Sequence, residues 1–140
     1  WDPEARAAIV GMTRGTSRAH LARATLEAMA LQNVDILMAM EKDLGRKMGA
    51  VRVDGGAVAN DLLMQLQADY LGVPVRRPKQ PESTVLGAAF LAGLGVGYWK
   101  NLEELRKVWT LQNEFTPMLD KKMRLAHLLA WHRAIARVRR

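Results

Sequence analysis

The residues with the clearest chemical potential lie in one stretch, Val51-Arg52-Val53-Asp54-Gly55-Gly56-Ala57-Val58-Ala59-Asn60. A short β-branched run ends, two glycines turn the chain, and a helical pattern follows. The first amides of a helix have no partner within it and carry the positive end of its dipole, so an anion is favoured there. Glycine removes the Cβ that would hold a phosphate or ribose at a distance. The carboxamide of Asn60 donates and accepts at once, which suits the edge of a purine. Gly55, Gly56 and Asn60 are therefore candidate nucleotide-binding residues. A second reading of the same residues stays open: two glycines after a strand also make a plain tight turn, and Asn60-Asp61 also makes a local helix cap. Asp54 raises the idea of magnesium ligation. The sequence favours, for this carboxylate, bonds from turn amides or contact with a metal through water.

Such a corner has to be held by a strand, turn, helix and strand. Residues 50–53 are short, apolar and β-branched apart from Arg52. Ala59, Leu62, Leu63, Leu66 and Tyr70 recur at helical spacing, and Gly72 closes that helix. Val73-Pro74-Val75 reads as a second short strand, with the proline at an edge or a strand start. A strand–helix–strand order implies a parallel pair with a right-handed crossover. Upstream, residues 1–18 read as loop, with Ala7-Ala8-Ile9-Val10 as a possible strand. Residues 19–42 then read as a long helix capped by Thr16 or Ser17, apolar on more than one face and so expected to be largely buried. In that helix Gln32 and Asp35 are expected to satisfy backbone groups, and His20 to pack or cap. Downstream, residues 76–81 read as a proline-bounded loop and residues 85–97 as a helix. Ala89, Gly93 and Gly97 fall at every fourth position there. Helical glycine costs about 1 kcal/mol relative to alanine, so this spacing predicts a closely approaching neighbour backbone. Residues 101–108 read as a short charged helix, residues 109–115 as a strand or an extended strap, and residues 119–139 as a last helix with Leu128, Trp131, Ile135 and Val138 facing inward. The whole is α/β, with helices covering a small, mostly parallel sheet.

Composition narrows the classes. The chain has 140 residues, 49% hydrophobic and 25% charged, within the range of one ordinary domain. No apolar run approaches the length of a membrane span. The first residues, Trp1-Asp2-Pro3-Glu4, show no basic or apolar region of a signal peptide, which with the absent methionine predicts an internal start. With no cysteine there is no thiolate ligand or nucleophile; a reducing cytoplasm fits. Three histidines, His20, His127 and His132, lack zinc-ligand spacing. The net charge is +7, and seven basic residues against one acid follow from Asp120 to the end. That is a solvated helix face or a basic patch for nucleic acid or an acidic partner. No aromatics are interleaved for base stacking, so no nucleic-acid partner is expected.

Four segments, in order, resemble glycerol kinases of the FGGY family of carbohydrate kinases. Residues 52–68, Arg-Val-Asp-Gly-Gly-Ala-Val-Ala-Asn-Asp-Leu-Leu-Met-Gln-Leu-Gln-Ala, are similar to the segment after the last major nucleotide-site strand. Trp1-Asp2-Pro3-Glu4-Ala5-Arg6 resembles the segment that opens the end of that lobe. Residues 7–27 fit the family's second signature, with Ala7, Ile9, Gly11 and Met12, a spacer, then His20-Leu21 and Ala24-Thr25-Leu26-Glu27. Glu82-Ser83-Thr84-Val85-Leu86-Gly87-Ala88-Ala89 resembles the family's helix start. The resemblance implies that residues 1–140 are the C-terminal portion of the ATP-binding lobe of an actin-like, ribonuclease H-like ATPase fold. It implies ATP-dependent phosphorylation of the terminal hydroxyl of glycerol with Mg2+, and a homo-oligomeric full-length form. The family's second turn glycine and the asparagine four residues on, which contact the nucleotide, fall on Gly56 and Asn60, with Gly55 shaping the turn. The catalytic aspartate and the glycerol-binding residues fall upstream of Trp1, so no catalytic residue is assigned here and the chain alone is expected to be inactive. Another sugar or polyol kinase of the family, or a basic binding module built on Arg133 to Arg140, are the alternative readings.

Overall fold

A computed structural model describes residues 4–138. The readings made on Trp1-Asp2-Pro3, and on Arg139 and Arg140 at the end of the last helix, lie outside the described residues.

The first element is α1 (Arg18–Leu44). Ser17 stands at its N-cap, and the Ser17 amide donates to Nδ1 of His20 at 3.1 Å, so this histidine closes the helix start. After α1 come β1 (Val51–Arg52), a single 3-10 turn (Gly56–Ala59) and α2 (Asp61–Leu71). Gly72 ends α2 at φ +72°, a left-handed backbone that favours glycine; a Cβ there would meet only the movable guanidinium end of Arg124. Next are β2 (Val75–Pro78), α3 (Ser83–Gly95), α4 (Leu102–Arg106), β3 (Leu111–Phe115) and α5 (Lys121–Ala136).

The sheet has the order β1-β2-β3. β1 and β2 are parallel, pairing Val51 with Val75 and Arg52 with Arg76, with α2 in the connection, as the strand–helix–strand pattern implies. β2 and β3 are antiparallel, with Val75 opposite Phe115 and an irregularity between Arg77 and Pro78. Pro78 has no N–H to give to a ladder. One of the two pairings is thus antiparallel, and the sheet is not mostly parallel. Residues 76–78, expected as loop, extend the central strand because β3 supplies it with a second edge. Pro74 sits just before β2, and its carbonyl accepts the Val51 amide at 2.9 Å.

The core gathers where α1, α2 and β2 meet: Ala30, Leu31 and Val34 from α1, Leu63, Met64, Leu66, Ala68 and Tyr70 from α2, with Val58 and Val75. Phe115, Leu119, Leu128 and Trp131 pack around it half-buried. α5 is held to α1 by one carboxylate: Asp35 accepts Nε1 of Trp131 at 2.7 Å and pairs with Nε2 of His132 at 2.8 Å. Asp35 therefore serves side chains of another helix and not backbone groups.

Three expectations are corrected by packing. Ala7-Ala8-Ile9-Val10 forms no strand and joins neither edge of the β1-β2-β3 sheet. α1 is not largely buried: Met29, Ile36, Met38, Met40 and Leu44 are exposed, because α2 and α5 cover only part of its circumference. Among the described residues no neighbouring backbone packs on the small face of α3. Gly93 is covered by the indole of Trp99, which a Cβ would meet at 2.3 Å, and the Gly93 carbonyl accepts the Tyr98 amide at 2.8 Å.

Candidate functional site

The corner is built as a turn clamped on two sides. β1 ends, and the chain passes through Asp54 into Gly55, whose φ of 84° and ψ of 174° belong to a region open essentially to glycine alone. The Gly55 amide donates to the Pro81 carbonyl at 2.8 Å, which ties the turn to the β2–α3 connection. Gly56–Ala59 then makes its one 3-10 turn, and Val58 is buried under it as an anchor.

Gly55, Gly56 and Asn60 all lie at this corner, with Gly56 and Asn60 exposed and Gly55 half-buried. The Gly56 and Ala57 amides have no protein acceptor among the described residues. Gly56 differs from Gly55 in an informative way. Its φ is not in the left-handed region, and a Cβ on it would have nothing within 4 Å. Neither backbone strain nor packing within this chain asks for glycine at 56. Among the described residues no side chain plugs the corner.

The glycines do not themselves open the α-helix. The 3-10 turn intervenes, and α2 starts at Asp61, so the aligned dipole of α2 does not lie behind the Gly56 amide. The start of α2 is already served, since Asn60 is its N-cap and Oδ1 of Asn60 accepts the Leu63 amide at 3.0 Å. Asp61 adds a carboxylate to the first turn of α2. The capping reading of Asn60 is thus realised in the structure. It uses only the carbonyl oxygen, while the amide nitrogen has no partner among the described residues and stays available as a donor. Among the described residues no turn amide donates to Asp54. Its exposed carboxylate borders a cleft of about 350 Å³ between α1 and the β1–α2 segment, beside Asn33, Arg52, Ala57 and Gln67. Among the described residues, no three His, Cys, Asp or Glu side chains gather as a metal-binding group.

One residue of the site escapes a linear reading. Arg77, on the central strand, is only 8% exposed. Its Nη1 donates to the Val58 carbonyl at 2.7 Å and to Oδ1 of Asp61 at 2.6 Å. Its guanidinium lies 5.3 Å from the centre of the Phe115 ring. The available signal was periodicity: side chains alternate along a strand, so Arg77 shares the face of buried Val75.

Comparison with known proteins gives this corner its context. The sequence profile of the FGGY family of carbohydrate kinases, C-terminal domain, matches residues 1–96. The chain is 59% identical over 138 residues to a glycerol kinase of Bdellovibrio bacteriovorus and 57% identical over 137 residues to one of Dechloromonas aromatica. It covers 99% and 98% of itself in these matches but only 28% and 27% of those proteins, so it spans little more than a quarter of their length. The fold superposes on the crystal structure of Plasmodium falciparum glycerol kinase with ADP at a TM-score of 0.88 and 36% identity, over 99% of this chain and 28% of that one. A ligand-bound xylulose kinase from Lactobacillus acidophilus superposes at 0.77 with 26% identity, over 99% of this chain and 27% of that one. The α/β architecture is that of the C-terminal lobe of these actin-like ATPases. With its own first 96 residues matching that domain, the chain belongs to the FGGY family of carbohydrate kinases.

Proposed function

We propose that this chain is the C-terminal portion of the ATP-binding lobe of a glycerol kinase, and that its Gly55–Asn60 corner receives the nucleotide. The parent reaction is transfer of the ATP γ-phosphoryl group to the terminal hydroxyl of glycerol, giving glycerol 3-phosphate. Glycerol is preferred over other acceptors of the family because identities to glycerol kinases reach 59%, against 26% for the xylulose kinase structure.

The observation that carries the site is Gly56, a glycine for which the chain itself has no use. A side chain there would project over the open corner. That is the geometry expected where a ligand slides close to the backbone. Asp54 stands with an exposed carboxylate beside the turn and disfavours an unshielded phosphate, while the charge of Asp61 is paired with Arg77. The corner therefore suits the sugar and base of the nucleotide better than its phosphates. In this reading the Gly56 and Ala57 amides face ribose oxygens, and the free amide nitrogen of Asn60 donates to an acceptor on the purine. The chain's own part in the reaction is binding and orientation. In phosphoryl transfer, positioning and charge stabilisation do most of the work, and one half-site does not supply both. We assign no catalytic group to these residues. Nor do they make a cation cage. Mg2+ belongs in this reading with the nucleotide phosphates and their waters, and it would neutralise charge there when bound.

The test uses the full-length protein that contains this chain. It is expected to phosphorylate glycerol from ATP in preference to xylulose or gluconate, while the isolated 140 residues turn over nothing. Gly56→Val is expected to raise KM for ATP and leave KM for glycerol alone. A full-length protein that transfers no phosphoryl group to glycerol rejects the activity. An unchanged KM for ATP in Gly56→Val rejects the site.

A further inference from the structure

We infer that Arg77 is a positioning residue for nucleotide binding, setting Asn60 from below without touching the nucleotide; this rests on the site reading above. Its two hydrogen bonds go to Val58 and to Asp61, residues on either side of Asn60 in the chain. The single nitrogen Nη1 thereby fixes the end of the 3-10 turn and the first residue of α2 to the central strand. Asn60 is the hinge between those two elements, and its free amide nitrogen is aimed by where they are held. The same strand leads into Pro81, whose carbonyl holds the Gly55 amide. Both ends of the turn are therefore fastened to one piece of chain, residues 77–81.

Stability alone does not account for an arginine here. Nε of Arg77 is buried with no partner among the described residues, and an unpaired buried donor is costly. The carboxylate it meets is on the surface, with Asp61 at 72% side-chain exposure, so that half of the pair is already solvated. Methionine would still fill the space against Phe115. What methionine does not do is hold the Val58 carbonyl and Asp61 at once. The guanidinium is explained by the geometry it imposes on the turn. Lysine, a single point donor on a flexible stem, reproduces this in part.

The experiment is a kinetic split in the full-length protein, with ADP binding by calorimetry alongside. Arg77→Met is expected to raise KM for ATP and Kd for ADP by about tenfold, the scale of a lost charged hydrogen bond. kcat and the KM for the phosphoryl acceptor are expected to stay within about twofold of wild type, because the residue acts only through nucleotide placement. Arg77→Lys should fall between. Asp61→Ala removes an exposed partner and leaves the fold safe, and about a threefold rise in Kd for ADP is expected. Equal ADP affinity in wild type and both Arg77→Met and Asp61→Ala overturns the assignment and leaves the site reading standing. A parallel rise in KM for both substrates also overturns it, since that is the mark of general loosening. If Arg77→Met does not fold, an unchanged Kd in Asp61→Ala overturns it by itself. Failure of wild type to bind ADP removes the site reading and the role of Arg77 together.

Discussion

α2 and α3 are helices of similar length from one chain, and their fates differ. α2 (Asp61–Leu71) buries seven of its eleven residues, including Leu63, Met64 and Leu66. α3 (Ser83–Gly95) is the more apolar of the two, yet only Gly93 is buried, by the local return of Trp99. Val85 and Leu91 stand exposed, and Gly87 has open space where a side chain would be. A helix apolar all round is built to be covered. α2 finds its cover in α1, β2 and α5, and α3 finds little within these residues. Burial along this chain therefore follows which partners the chain includes more closely than it follows hydrophobicity. The proposed nucleotide corner sits at the junction of the two regimes, fastened to α2 on one side and to the start of α3 through Pro81 on the other.

The largest effect that tests this contrast comes from truncating one leucine in each helix. Leu66, 2% exposed, is expected to cost about 2–5 kcal/mol as Leu66→Ala, through lost transfer energy and a residual cavity. Leu91, 73% exposed, is expected to cost less than about 0.5 kcal/mol as Leu91→Ala in the isolated chain. In the full-length protein the same Leu91→Ala change is expected to rise toward the buried class, about 2 kcal/mol or more, if the remainder of the protein covers α3. Urea midpoints of each variant against the wild type of the same length measure this. An equally small cost for Leu91→Ala in both lengths would mean that α3 stays bare, and the contrast between the helices would be intrinsic.

A smaller effect separates residues that the fold needs from residues that the ligand needs. Gly55→Ala forces a side chain into a glycine-only conformation and is expected to cost about 1–3 kcal/mol. Gly56→Ala meets no atom and no left-handed backbone, so its stability should move by less than about 0.5 kcal/mol while affinity for adenine nucleotide falls. Asn60 divides the same way within one side chain. Asn60→Ala loses the bond to the Leu63 amide and is expected to cost about 1 kcal/mol. Asn60→Asp keeps the capping oxygen and loses the donor, so it should melt like wild type and bind ADP less well. An Asn60→Asp protein that binds ADP as tightly as wild type would reduce Asn60 to its capping role.

The same boundary explains what could be read from the residues. The unit of short strand, glycine turn, helix and parallel strand was legible because each piece is specified locally, by β-branched residues, by Gly55 and Gly72, and by the helical spacing of Leu62, Leu63, Leu66 and Tyr70. The long helix α1 and the half-buried stripe Leu128, Trp131 and Ile135 of α5, continued by Val138 just beyond it, were legible for the same reason. What failed depends on distant partners. Residues 76–78 became strand because β3 pairs with them, and two prolines nearby hid it. Ala7-Ala8-Ile9-Val10 has strand chemistry but pairs with neither edge of the sheet. α1 carries apolar residues around its circumference, and composition does not reveal that only one side is met. At the site, the spacing from Gly56 to Asn60 concealed a change from 3-10 turn to α-helix, so the glycines stand farther from the start of α2 than the pattern implied. Arg77 was hidden because an arginine between an arginine and a proline reads as solvated loop until the strand is known.

The last test concerns whether the covered side is as dry as the bare side is wet. Tyr70 lies on the buried face of α2, 1% exposed, with the His127 ring 5.2 Å away and Glu27 and Arg23 of α1 beside its hydroxyl. Burial first, and the Glu27 carboxylate second, push its phenol up to about 12, with Arg23 pulling the other way. An unfolded tyrosine titrates near pH 10, so between about 10 and 12 the native state holds a proton that the unfolded state has lost. The stabilisation from this group is thus complete below about pH 10 and is lost as pH rises through about 12. Tyr70→Phe removes the titrating group and is expected to flatten the fall in urea midpoint over that window, with little change in pH dependence at neutrality. A variant whose midpoint falls as steeply as wild type would mean that water reaches the hydroxyl. The seam between α1, α2 and α5 would then be looser than its packing suggests, and the advantage of α2 over α3 would rest on aliphatic contacts alone.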